Sequence, residues 1–132
     1  MYRLSRWNVF LARIKVSLQL TPERCAAIYE CLRAFPPFGT WKLPPSDGVE
    51  FRTTRRLDCE AEHQAFTDGA QRIMVSIAKI GQWHRACVAV AHEMVHLSQD
   101  LAGTANKYQH NADFVARWRL VSRQFGFDPK EY

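Results

Sequence analysis

Residues 86–96 read ACVAVAHEMVH and form the most apolar helical stretch of the sequence. Apolar side chains on nearly every side are typical of a helix buried through the centre of a domain. We predict that this helix runs from Gln82 to Leu101 and that Gly103 ends it, because glycine commonly follows the last helical residue. The fold is expected to be organised around this helix.

The buried helix carries two histidines four residues apart, His92 and His96, with Glu93 between them. On a helix these histidines lie about 6 Å apart on adjacent turns, so both imidazoles can reach one ion while Glu93 projects beside it. On a strand they would be about 13 Å apart, with Glu93 on the opposite face. Unliganded histidines and a glutamate would be costly to bury, so the pattern predicts a zinc site on a helix.

Catalytic zinc takes three protein ligands and leaves a fourth position for water, so a third ligand must come from elsewhere. Gln99 and Ala102 stand where the metzincin extension requires glycine and histidine, which excludes that class. His110 is the preferred third ligand, because a chain reversal after the buried helix can return the start of the next helix to the ion. Asp113 and Asp100 are the weaker alternatives.

Three histidines around zinc leave a position where a water molecule has a pKa near neutrality and a substrate carbonyl is polarised. Glu93 can then accept the water proton and pass it to the leaving amine, which is the chemistry of peptide hydrolysis. The sequence does not specify the group that stabilises the oxyanion. Tyr108, Arg117 and Tyr132 are candidates by chain position.

Two further helices are predicted from their capping residues. Thr21-Pro22-Glu23 starts one helix, which should reach about Phe35 before an irregular loop at 36–48. Asn111 starts the other, whose apolar stripe should pack into the core before Gly126 ends it. That stripe consists of Phe114, Val115, Trp118, Val121 and Phe125.

Strands are predicted in the middle of the chain, which makes the expected fold class α+β. Apolar and polar residues alternate over 49–61, and a second strand at 72–77 follows a turn at Asp68-Gly69. We expect an antiparallel meander. His63 in this region, and His84 about 12 Å before His92 along the helix axis, are expected to be surface or hydrogen-bonded core histidines.

The chain has 132 residues, 47% of them hydrophobic, which fits one domain over 1–132 with residues 1–20 as a candidate N-terminal extension. Polar and charged residues interrupt the longest N-terminal apolar segment, Val9 to Leu20. We therefore expect neither a membrane span nor a secretory leader, no membrane partner, and a cytoplasmic location.

The four cysteines, at positions 25, 31, 59 and 87, form no C-x-x-C pair, so neither a zinc ribbon nor a redox motif is present. They are expected to be buried, reduced thiols. The net charge of +5 permits attraction to nucleic acid, although most such charges simply solvate a surface.

The run from His92 to His96, followed by His110-Asn111-Ala112-Asp113-Phe114 and then by Gly126-Phe127, resembles the SprT-like metallopeptidases, relatives of the Spartan and Wss1 proteases. The similarity covers the second half of the chain. It implies that His110 is the third zinc ligand and that Phe114 packs beneath it, while Asn111 replaces a glycine of the family pattern.

The resemblance also implies a compact, stand-alone zincin-like domain in which an edge strand before the active helix lines the cleft and pairs with an extended substrate. Residues 72–77 would be that strand. Many members of the family add a zinc ribbon or a separate DNA-binding region, and no cysteine follows Cys87 here.

Two functions follow from these observations. One is a zinc metallopeptidase, a hydrolase that acts on a protein or peptide substrate. The other is a catalytically silent, zinc-stabilised module that binds nucleic acid or protein. Glu93 favours the enzyme, because a structural zinc site has a closed shell of four ligands and no use for a carboxylate beside the metal.

Overall fold

The structure, a computed structural model, describes residues 19–132, and this part of the chain is an α+β fold with three α-helices and one sheet. The predicted fold class is therefore confirmed. The elements are α1 (Pro22–Arg33), β1 (Glu50–Thr54), β2 (Ala61–Ala65), β3 (Gln71–Ser76), α2 (Trp83–Ala102) and α3 (Ala112–Phe125).

The predicted N-terminal extension, residues 1–20, and the apolar segment Val9 to Leu20 lie outside the described residues except at positions 19 and 20. Leu20 is 5% exposed and belongs to the hydrophobic core. Within residues 19–132, none of the helices is both long enough and apolar enough to cross a bilayer.

The helices begin and end close to the predicted positions. The Thr21 hydroxyl accepts a hydrogen bond from the Arg24 backbone N–H, and Gly103, with φ of 73°, ends α2 in the left-handed conformation. Helix α1 stops at Arg33, two residues before the predicted Phe35. A residue that precedes proline disfavours the helical conformation, so Phe35 cannot easily continue the helix into Pro36.

The sheet is mixed, which corrects the predicted antiparallel meander. Its strand order is β1-β3-β2, with β1 parallel to β3 and β2 antiparallel to β3. The single strand predicted over 49–61 is also wrong, because the chain leaves the sheet after Thr54 and returns at Ala61 on the far side of β3. The turn at Asp68-Gly69 is confirmed, since Gly69 with φ of 88° lies between β2 and β3.

Strand β3 lies in the centre of the sheet, so its residues are not the edge strand that the family resemblance implied. Among the described residues, the edge strand beside the buried helix is β2. Ile73 and Val75 are fully buried on the face of β3 that packs towards α2, and His63 pairs with Ile73 in register. Residues that alternate along a strand share a face, so Ala61 and His63 also face α2.

Helix α2 passes through the middle of the domain and packs against both other helices and the sheet. The predicted aromatic stripe of α3 lies against it, with Phe114, Trp118 and Val121 fully buried. The prediction of four buried thiols is wrong in part. All four cysteines are free, but Cys31 is exposed and only Cys25 is fully buried.

Candidate metal centre

The two histidines of α2 meet on one face of the helix, as their spacing requires. Their Nε2 atoms lie 3.1 Å apart, and both side chains are half-buried. Residues four apart on a helix project from successive turns in nearly the same direction, which explains the convergence. Helix α2 alone therefore supplies two nitrogen donors at one point.

His110 completes a cluster of three imidazoles. Its Nε2 lies 3.2 Å from Nε2 of His92, and one nitrogen from each of His92, His96 and His110 lies within 4.8 Å of the others. The chain reverses after Gly103 and places His110 immediately before Asn111, the N-cap of α3. A loop residue thus reaches a site that is otherwise built on a helix.

The cluster matches the size of a tetrahedral zinc site. With zinc–nitrogen bonds of about 2.0–2.1 Å, two ligand nitrogens of a tetrahedral ion are about 3.3–3.4 Å apart. The observed separations of 3.1 and 3.2 Å lie close to this value. No acidic group belongs to the cluster within residues 19–132, so its donor set consists of imidazole nitrogens alone.

Burial keeps these imidazoles in the neutral form that binds metals. Removal from water, with a smaller contribution from the neighbouring histidines, lowers the pKa of His92 to about 3 and that of His96 to about 4. Burial also lowers the pKa of His110. Since a protonated imidazole has no free lone pair on that nitrogen, the low pKa values preserve three electron-pair donors at neutral pH.

Phe114 supports all three histidines from below. Its ring centroid lies 5.0 Å from that of His92 and 4.6 Å from those of His96 and His110. The Phe114 side chain is fully buried, so its ring is held on the other side by the core. One aromatic side chain therefore limits the orientations that the three imidazoles can take.

Gln99, one turn after His96, connects α2 to the segment that carries His110. Its side-chain amide donates to Asn111 Oδ1 at 2.9 Å and to Asp113 Oδ2 at 3.0 Å. Asn111 also accepts from the Phe114 backbone N–H, and Asp113 accepts from Thr104. We call Gln99, Thr104, Asn111 and Asp113 the Gln99 network. It ties both ends of the 103–110 loop to the metal-site helix.

Glu93 lies beside the histidines but faces the sheet edge. Its side chain is 5% exposed, and burial raises its pKa to about 8, while the backbone N–H of His63 on β2 opposes that shift. A cation held by the three histidines would favour the ionised form of this carboxyl group. Glu93 is thus placed between the candidate metal centre and the edge strand.

A cleft runs across the site as two adjoining cavities. The first, of about 360 Å³, lies between β2 and the segment before α3, and its lining includes His63, Glu93, Gln99 and Asn106. The second, of about 310 Å³, extends towards the start of α2. Its lining includes Glu60, Arg85, Glu93, Glu131 and Tyr132. His92 and Glu93 contribute to both cavities, so the cleft is open on both sides of the histidines.

The alternative ligands have other partners. Asp100 accepts a hydrogen bond from Gln71 at 2.7 Å, and Asp113 accepts from Arg117 as well as from the Gln99 network. Neither carboxylate belongs to the three-histidine cluster. His84, which was not expected to share the ion, packs against Phe127, with the ring centroids 5.8 Å apart.

The structure separates the three candidates for oxyanion stabilisation. Arg117 is bound to Asp113 and stacks over Trp41 at 4.9 Å, and Tyr108 is 65% exposed. Neither residue lines the cleft. Tyr132 does line it, with its ring 5.3 Å from that of His110.

Two residues that line the cleft, His63 and Arg85, were not predicted from the sequence to lie at the site. His63 lines the first cavity and shares a 2.5 Å hydrogen bond with Gln71, so it is a hydrogen-bonded histidine as expected, but one that faces the site. Arg85 lines the second cavity and holds Glu60 through two hydrogen bonds, of 2.7 and 2.9 Å. Arg85 lies two turns before His92 on the same helix, and this spacing was a signal that could have identified it.

No protein-family model matches the chain, and a search of curated proteins finds no significant match.

Proposed function

We propose that this protein is a zinc-dependent metallopeptidase of the SprT-like kind, with His92, His96 and His110 as zinc ligands and Glu93 as the general base. The observation that carries the proposal is the convergence of three neutral imidazoles beside a buried carboxyl group. When bound, zinc would lower the pKa of a water molecule and polarise the substrate carbonyl. Glu93 would accept the proton of that water and deliver it to the leaving nitrogen.

The edge of strand β2 favours a peptide as the substrate. The strand pairs with β3 on one side only, so within the described residues its other edge is free to pair with an extended peptide. Glu93 and His63 lie next to this edge in the first cavity. A peptide that follows β2 would pass the histidine cluster, with its scissile bond close to Glu93.

The competing function is a silent zinc-stabilised module that binds nucleic acid or protein. The position of Glu93 argues against it, because a buried carboxyl group that holds no ligand is costly to desolvate without a catalytic use. The open cleft around the histidines also suits a site with an accessible fourth position better than a closed structural one.

The deciding experiment measures cleavage of an unfolded protein by the zinc-loaded wild type and by Glu93→Gln, each with and without DNA. We expect one bound zinc in both proteins and cleavage by the wild type alone. Glu23→Gln, at an exposed position on α1, is the matched control and should cleave like the wild type. Equal cleavage by Glu93→Gln would contradict the role of Glu93 as the base, and no cleavage by the wild type would favour the silent module.

A further inference from the structure

Peptide hydrolysis by this site needs one group that the histidines and Glu93 do not provide. When water adds to the carbonyl carbon, the π electron pair moves onto the carbonyl oxygen, and Glu93 receives the water proton. The proton passes to nitrogen as the carbonyl re-forms and the C–N bond breaks. A hydrogen-bond donor aimed at the negative oxygen stabilises this intermediate.

His63 cannot be that donor in its neutral form. The Gln71 amide nitrogen donates to the Asp100 carboxylate, which only accepts, so the Gln71 oxygen faces His63. The His63 Nε2–H is therefore directed to Gln71. The second ring nitrogen of a neutral imidazole carries no proton and only accepts.

Arg85 lines the second cavity together with His92, but its donors are engaged by carboxylates. Its guanidinium donates to both carboxylate oxygens of Glu60 and, at 3.4 Å, to Glu131. Arg85 lies seven positions before His92, which corresponds to about 10 Å along the helix axis. The ion pair with Glu60 directs the Arg85 guanidinium towards the beginning of β2 rather than towards the three histidines.

Tyr132 lies against His110 and, among the described residues, keeps its donor uncommitted, whereas the donors of His63 and Arg85 are engaged. Its ring stands edge-on to His110, with centroids 5.3 Å apart and planes at 84°, and lies 5.9 Å from the ring of Phe114. It lines the second cavity together with His92 and Glu93. Within residues 19–132 its hydroxyl is not engaged in any hydrogen bond to another protein group, in contrast to the Tyr29 hydroxyl, which donates to Pro44.

The segment after α3 is folded so that it returns to the cleft. Gly126, with φ of 74°, turns the chain, and Phe127 stacks on the buried Trp118 with centroids 6.0 Å apart. The Trp118 indole N–H donates to the Asp128 carbonyl, which also accepts from the Glu131 backbone N–H. These contacts connect the position of Tyr132 to the core.

From this placement we propose that Tyr132 is a catalytic residue whose phenol O–H donates a hydrogen bond to the oxyanion of the tetrahedral intermediate. The proposal rests on the proposed peptidase function. It assigns to Tyr132 a contact that forms in the transition state and is weak or absent with the bound substrate. Loss of such a donor lowers kcat by about 100- to 1,000-fold and leaves KM nearly unchanged.

The test compares Tyr132→Phe with the wild type in the full chain, loaded with one zinc. Tyr132→Phe keeps the ring contacts with His110 and Phe114 and removes only the hydroxyl. We expect kcat to fall by about 100-fold or more, with KM within about twofold. Tyr108→Phe is the matched control, because Tyr108 does not line the cleft, and it should behave like the wild type.

A binding measurement gives a readout that is independent of turnover. Calorimetry with a phosphinic peptide, which mimics the tetrahedral intermediate, should show affinity weakened about as strongly as kcat in Tyr132→Phe. A product peptide should bind both proteins equally. A purely structural role of Tyr132 would instead alter zinc content or weaken both ligands alike.

The outcomes separate this proposal from the proposed function. If the wild type cleaves, Glu93→Gln does not, and Tyr132→Phe retains full kcat and phosphinate affinity, Tyr132 is not the donor although the peptidase function stands. If the wild type and Glu93→Gln are equally inactive, the peptidase function fails and the role of Tyr132 fails with it.

Discussion

The Gln99 amide nitrogen lies 2.9 Å from Oδ1 of Asn111, so a residue one turn after His96 holds the residue next to His110. Helix α2 thereby carries two of the three clustered histidines and holds the residue next to the third through a side-chain contact. The same amide also donates to Asp113 at 3.0 Å. Because Gln99 is 1% exposed, water cannot easily replace it as a partner.

Gln99→Leu should weaken zinc binding without removing a ligand. We expect the zinc dissociation constant to rise by about 10- to 100-fold, the usual effect of losing an outer-shell partner. The free energy of unfolding should fall by about 1–3 kcal/mol, because Asn111 and Asp113 lose a buried donor. Competition titration with a chelator and urea unfolding measure the two effects.

Gln124→Leu is the control for this change, because Gln124 is exposed on α3. It should alter neither zinc affinity nor stability by more than about 0.5 kcal/mol. Unchanged zinc affinity in Gln99→Leu would mean that the 103–110 loop holds His110 without the Gln99 network.

Removal of zinc should destabilise the folded protein. Zinc at 100 times its dissociation constant stabilises a native state by about 2.7 kcal/mol, so chelation should lower Tm by several degrees. Magnesium at the same concentration should have no effect, because it prefers oxygen ligands over imidazole. Thermal unfolding with zinc, magnesium or chelator measures this difference.

His110→Ala is the decisive variant in that series. It leaves two nitrogen ligands on α2 and should lose most of the zinc-dependent rise in Tm. If zinc raises the Tm of His110→Ala as much as that of the wild type, His110 is not the third ligand. Asp113 and Asp100 are then the next candidates.

The local features of the fold were predictable because short-range interactions determine them. The Thr21 and Asn111 caps and the glycine stops depend on neighbouring backbone groups. The spacing of His92 and His96 similarly determines their meeting on α2. These predictions needed no knowledge of the rest of the fold.

The strand order was not predictable in the same way, because alternation of side chains reports which face is buried and says nothing about the neighbouring strand. Strand β3 offered one signal, since Ile73 and Val75 make it more apolar than β2, whose sequence is AEHQA. A central strand is covered on both edges, whereas a polar strand tolerates exposure at an edge. This comparison could have placed β3 between the other two.

The positions of His63 and Tyr132 in the cleft also depend on distant parts of the chain. His63 faces the site only because β2 lies beside α2, and Tyr132 reaches it only because Phe127 stacks on Trp118. Neither residue belongs to a motif. Chain position suggested Tyr132, Tyr108 and Arg117 equally, and tertiary contacts distinguish them.

Phe114→Ala should damage both stability and the metal centre. Loss of a fully buried phenylalanine ring costs about 3–5 kcal/mol, and the three imidazoles would lose their common support. We therefore expect weaker zinc binding in the fraction that remains folded, measured at a temperature well below Tm. Phe66→Ala, at a site that is 40% exposed, should cost about 1 kcal/mol or less and leave zinc binding unchanged. Equal zinc affinity in Phe114→Ala and the wild type would contradict the supporting role of the ring.

Glu30 on α1, which does not line the cleft, should make stability depend on acid pH. Its carboxylate accepts a 2.6 Å hydrogen bond from the Ser46 backbone N–H and pairs with Arg33, and these contacts lower its pKa below the ordinary 4.5. The stabilisation is fully present above pH 4.5 and is lost as the pH falls through the lower folded-state pKa. Because the side chain is 39% exposed, we expect Glu30→Gln to cost only about 1 kcal/mol at pH 7. Urea unfolding of both proteins between pH 7 and pH 3 should show this difference shrinking at the acid end, and a difference independent of pH would assign the effect to something other than the Glu30 charge.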